Sequence, residues 1–215
     1  MSKGYEKNYQ GIVYKLADCD FEEAAARLGL DPPVNGVVRI PFLGREYEIT
    51  SKGVTVTDGL PVHPNYLSSL IFYITSGGSG EPENSYSLLH SFIPDNVGGF
   101  SNGAWMTSSL VREFGNDYGK FSDAVKSLGA VPDVSTGGKD HCWSYRILPK
   151  IPIQILYFEA DDEFPCEIKL KLDNSAQKFM EFEQLAFLCG CLISTLAPET
   201  MPVPKAGCSI MRDLM

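Results

Sequence analysis

"IPIQILYFEADDEFPCEIKLKLD", Ile151 to Asp173, decides how this chain is read. Its second half alternates: Ile168, Leu170 and Leu172 fall on one side, Lys169 and Lys171 on the other. A period of two is that of a β-strand with one buried face. Its first half, "IPIQILYFE", is a second strand candidate. Between them, Glu159 to Pro165 packs four carboxylates into five residues before Phe-Pro. The segment reads as a hairpin with an acidic tip. Phe164 is expected to fold back beneath that tip and anchor on the core.

The pattern extends in both directions. Upstream, "HCWSYRIL" (141–148) is a third strand. "GVVRIPFLGREYEIT" reads as a hairpin turning at Leu43-Gly44-Arg45, with "GVTVTDG" a further strand, and Pro41 points to an edge position. Helical spacing covers Tyr5 to Leu16. In "DFEEAAARLG", Asp20 stands at the N-cap, Glu23 in capping-box position and Gly29 at the C-terminus. Helices are also expected over Leu67–Ile74 (with Pro64 in the first turn), 106–114, 118–128 and 179–196. "SYSLLHSF" reads as a short strand carrying His90 within a loop over 77–103. The expected fold is α+β, a mostly antiparallel sheet with packed helices in one domain over 1–197, followed by a loose tail over 198–215.

Composition removes several function classes. The chain has 215 residues and a net charge of −9, from 18 basic and 27 acidic residues. Its lysines and arginines are scattered singly, so neither nucleic acid nor an anionic membrane is an expected partner. The longest apolar run, Leu185 to Ala197, makes a helix of about 20 Å, short of the roughly 30 Å hydrocarbon layer. "MSKGYEKNYQG" has no apolar segment of a secretory signal. A cytoplasmic location is expected, with the six cysteines as free thiols. Cys189 and Cys191 read as small buried hydrophobes.

Strong catalytic signatures are absent from the sequence: no Walker A lysine loop, dinucleotide glycine fingerprint, H-E-x-x-H or G-x-S-x-G occurs. His141 is the candidate proton-transfer group, because imidazole titrates near neutral pH. Crowded carboxylates attract a hard cation, which makes Asp161, Asp162 and Glu163 candidate metal ligands. Asp140, His141, Trp143, Tyr145, Tyr157 and Glu159 are the candidate ligand-binding set. The aromatic members would wall a pocket between the 77–103 loop and the acidic turn.

These motifs resemble a family, domain of unknown function 3786. The resemblance is carried by Pro149-Lys150-Ile151-Pro152, Phe158 to Pro165 and Asp173 to Ala176, with "IPFLGREYEIT", "LSSLIFYITSGG" and "GGKDH" upstream. Lys150 stands where the family pattern has arginine, and Phe158 where it has tryptophan. A further lysine splits its Gly-Asp pair into Gly138-Lys139-Asp140. The resemblance implies a cytoplasmic protein of anaerobes, linked to corrinoid, tetrapyrrole or metallocentre metabolism. The expected function is then a non-catalytic accessory factor that binds a small molecule, or a cofactor of that kind or a divalent metal. Two rivals stand beside it. One is a metal-assisted hydrolase using the 161–163 turn and His141. The other is an adaptor whose partner is another protein.

Overall fold

The computed structural model describes residues 3–93, 104–115, 117–134 and 141–198; the expected tail from 199 onward and Asp140 lie outside them. The described residues form two antiparallel sheets and six α-helices.

The first helix, α1 (Lys3–Ile12), runs into a 3-10 turn, Val13–Leu16. In α2 (Phe21–Leu28), Asp20 Oδ1 accepts from the N–H groups of Glu22 and Glu23, both at 3.1 Å, and Gly29 closes the helix at φ 68°. The Glu23 carboxylate pairs with Arg27 at 2.9 Å, one turn further along the same face.

The small sheet has the order β1-β2-β3, from β1 (Val38–Phe42), β2 (Arg45–Thr50) and β3 (Gly53–Val56). Pro41 sits in β1, an edge strand, where a missing N–H costs least. The turn places Leu43 at φ 51° and Gly44 at φ 75°. Two left-handed residues are what a two-residue hairpin loop needs to match strand twist. Helix α3 (Pro64–Ile74) follows, its first turn capped by His63 Nδ1, which accepts from Asn65 N–H at 3.3 Å.

The large sheet has the order β4-β8-β7-β6-β5. Its strands are β4 (Tyr86–Leu88), β5 (Val131–Pro132), β6 (His141–Leu148), β7 (Ile151–Phe158) and β8 (Glu167–Asp173). The hairpin β7–β8 pairs Ile153 with Leu172 and Phe158 with Glu167. One face of the sheet sends Trp143, Tyr145, Ile155, Tyr157, Ile168 and Leu172 into the core with residues of α3 and of α6 (Phe182–Leu196). The opposite face carries Arg146, Lys169 and Lys171, because successive residues of a strand point to opposite sides.

Three expectations need correction. His90 lies in a 3-10 turn, Leu89–Phe92, since β4 ends at Leu88. The last helix begins at Phe182, later than spacing alone predicts. Glu181 and Gln184 form a capping box there, and a 3-10 turn over Asn174–Lys178 precedes it. The third concerns Phe164. The hairpin forms, but this ring stands 66% exposed at its tip. The pleat ends at Phe158, so alternation no longer governs where a tip residue points.

Helix α6 is buried on several sides, including Cys189 and Cys191. Burial pushes both thiols up to about 12. The five described cysteines are all free thiols. Among the described residues no helix is long and apolar enough to cross a membrane.

Candidate functional site

The end of the large sheet nearest the acidic turn gathers the start of β6 and the end of β7. His141 opens β6 and lies directly opposite Tyr157. Glu159 follows two residues beyond Tyr157 on the same side. The result is a hydrogen bond between His141 Nε2 and Glu159 Oε1 at 2.8 Å. The His141 side chain is about one-third exposed, at 34%.

Helix α5 (Tyr118–Ser127) completes the corner. Asp117 caps it, accepting from Lys120 N–H at 2.9 Å. Tyr118 thereby opens the helix over the imidazole, and the two rings stack with centroids 3.6 Å apart and planes at 17°. Tyr157 lies below, buried, with its hydroxyl donating to the Phe114 carbonyl at 2.8 Å, at the end of α4 (Ala104–Phe114). Phe121 packs 4.8 Å from the Tyr157 ring centroid. Burial first, then Cys166, Glu159 and Asp117, push the Tyr157 phenol up to about 12. Burial likewise raises the half-buried Cys166 thiol, which stays protonated at neutral pH.

Of the sequence-derived set, His141, Tyr157 and Glu159 come together. Trp143 and Tyr145 share their face but belong to the core, with Trp143 3% and Tyr145 9% exposed. The Lys126 ammonium sits 5.5 Å from the Trp143 ring. Tyr145 meets the backbone of the Leu43-Gly44 turn. Tyr118 was not legible in the sequence as a partner of His141; only the approach of α5 to β6 brings it there.

The acidic turn has a different organisation. Asp161 Oδ1 accepts from the N–H groups of Glu163 (2.9 Å) and Phe164 (2.7 Å), and Asp161 N–H donates to the Phe164 carbonyl at 2.9 Å. These backbone donors hold the Asp161 carboxyl below its usual value. Asp162 and Glu163 are exposed beside it. Among the described residues, no three His, Cys, Asp or Glu side chains group as metal ligands.

The expected pocket between the 77–103 loop and this turn is not built by the described part of that loop. β4 pairs with the far end of β8, Tyr86 opposite Asp173, six residues from Glu167. At roughly 3.3 Å per residue this places it about 20 Å away. An open cleft of about 210 Å³ lies elsewhere, lined by Lys15, Asp18, Asp20, Glu23 and Arg27 among others. Glu23 and Arg27 neutralise each other, and Asp20 is committed to its cap.

These features define an α+β protein with a carboxylate-held, tyrosine-stacked imidazole at one end of its larger sheet. The chain belongs to the family described as domain of unknown function (DUF3786), whose model matches residues 20–195. Comparison with curated proteins and with solved structures returned no match.

Proposed function

We propose that this chain is a non-catalytic cytoplasmic accessory protein that binds a cofactor-like small molecule at the His141 end of the large sheet. The carrying observation is the His141–Glu159 hydrogen bond beneath a stacked Tyr118. An imidazole held in orientation by a carboxylate and a stacked ring, yet partly open to solvent, suits recognition of a ligand. A hydrolase of the expected kind would turn two of Asp161, Asp162 and Glu163 toward His141. Asp161 instead accepts two backbone N–H groups of its own turn. The free thiols of the described cysteines fit a reducing compartment. The family resemblance suggests corrinoids and tetrapyrroles of anaerobic metabolism as the first ligands to try.

The test is a thermal-shift series of the full chain with cobalamin, haemin and metal-free tetrapyrroles. A ligand at a hundred times its Kd adds about 2.7 kcal/mol, a rise of several degrees. The rise should appear with at least one of them and shrink in His141→Ala. No shift with any member of the series removes the reading.

A further inference from the structure

We infer that His141 is a one-point ligand for a metal centre that arrives already chelated, with Glu159 as the positioning residue. The inference rests on the sheet end being the binding site, and it names the class of ligand. An imidazole coordinates first-row transition ions through a ring nitrogen carrying a lone pair. In such sites the other ring nitrogen is characteristically held by a carboxylate, which fixes the tautomer and raises the basicity of the coordinating one. His141 has this arrangement. Its Nε2 is held 2.8 Å from Glu159 Oε1. A proton on Nε2, donated to that carboxylate, leaves the lone pair on Nδ1. No other hydrogen bond of the ring occurs among the described residues.

Tyr118 restrains what remains. With the ring planes at 17° and the centroids at 3.6 Å, one face of the imidazole is covered. The in-plane lone pair of Nδ1 is not consumed by stacking, and the side chain retains 34% exposure. The ring is thereby held against rotation while about a third of the side chain stays exposed.

The ligand class follows from the donor count. A free transition ion takes four to six donors, and a lone imidazole supplies one. No described group of three His, Cys, Asp or Glu side chains supplies the rest. With one donor supplied by the described residues, the proposed ligand brings its others with the metal, as a chelate that leaves a coordination position open. The acidic residues Asp161, Asp162 and Glu163, at the same end of the sheet, favour a chelate without net negative charge.

Copper(II)–iminodiacetate is the probe, a chelate with open positions, titrated into the full-length protein and followed by its visible absorption and electron paramagnetic resonance. Two other histidines serve as internal controls. His63 Nδ1 is engaged in capping α3, and His90 Nδ1 is buried. The strongest site should lose at least tenfold in affinity in His141→Asn and be unchanged in His63→Asn. Glu159→Gln keeps an acceptor of the same shape but removes the charge, and should weaken binding by about tenfold. Melting curves of each variant establish that it is folded. Affinity unchanged in folded His141→Asn overturns the inference, as does affinity unchanged in Glu159→Gln. The cofactor series can fail while copper binding still depends on both residues; that removes the ligand reading and leaves this site standing. The reverse outcome removes this site alone.

Discussion

The buried carboxylate of Asp173 accepts, through Oδ1, the backbone N–H of Glu83 at 3.0 Å, a contact between residues 90 apart in sequence. The same oxygen accepts from Ser175 N–H at 2.9 Å and Ser175 Oγ–H at 2.5 Å. It thus fastens the 77–85 segment to the end of β8 and caps the 3-10 turn that follows. Lys178–Glu83 and Lys150–Glu81 ion pairs bind the same segment from outside. The Asp-x-Ser-Ala element of the family pattern therefore has a structural role here.

Asp173→Ala leaves the Glu83 and Ser175 N–H groups without their acceptor. A loss of about 3 kcal/mol is expected, read by urea denaturation. The pH dependence has a definite sign. Burial raises the Asp173 carboxyl, but hydrogen bonds from Ser175, Glu83 and Asn84 outweigh it and hold the group below its ordinary value. A depressed folded pKa contributes stability that is present above the unfolded value, about 3.9, and is lost as pH falls through the folded value. The gap in stability between wild type and Asp173→Asn should be full at pH 6 and shrink below about pH 4. A gap that is constant down to pH 2 contradicts this assignment.

Gly78 and Gly190 should respond to alanine with opposite signs. A Cβ on Gly78 would stand 1.9 Å from the Lys178 carbonyl oxygen and 2.8 Å from Phe179 Cα, both backbone atoms that cannot yield cheaply. Gly78→Ala should cost about 1–3 kcal/mol or more. Gly190 lies inside α6 with nothing within 4 Å of the added atom. Gly190→Ala should stabilise by about 0.5–1 kcal/mol, through helix propensity. Thermal melts of the two variants on one day decide both.

Phe164→Ala tests the corrected hairpin tip. A ring anchored on the core would cost about 3–5 kcal/mol on truncation. At 66% exposure, the expected change is within about 0.5 kcal/mol. Phe179→Ala, whose ring is 2% exposed and lies against Tyr73, is the positive control at about 3–5 kcal/mol.

Thiol labelling should separate the cysteines by burial. In a Cys208→Ser background, Cys19 and Cys166, both half-buried, should react with a disulfide reagent in the native state. Both have raised pKa values, chiefly from burial, so their labelling should be slow at pH 7 and accelerate toward pH 9. Cys189 and Cys191 should react only in denaturant. Native-state labelling of either at the rate of Cys166 would contradict the packing of α6.

The three long strands of the large sheet, β6, β7 and β8, were legible because their signal is local; β5, two residues in a stretch that reads as loop, was not. Ile168, Leu170 and Leu172 declare a face by spacing alone, and α2 announces its start and stop through Asp20 and Gly29. The site was legible only in part. His141, Tyr157 and Glu159 could be picked as chemical types, but the β6–β7 register that sets them side by side could not. Tyr118 could not, because its stacking on His141 depends on where α5 lands, 23 residues earlier in the chain. The acidic turn misled for a related reason. A count of carboxylates does not say that Asp161 will spend its oxygen on Glu163 and Phe164 N–H groups.

Local periodicity and capping chemistry, written in consecutive residues, were enough to determine an antiparallel α+β protein, its hairpin over 153–172 and the buried character of α6. The tertiary structure alone decided that Phe164 faces water, that Trp143 and Tyr145 are core, and that His141 is clasped between Glu159 and Tyr118. Those outcomes depend on which surfaces meet across long sequence separations, and backbone spacing carries no record of that.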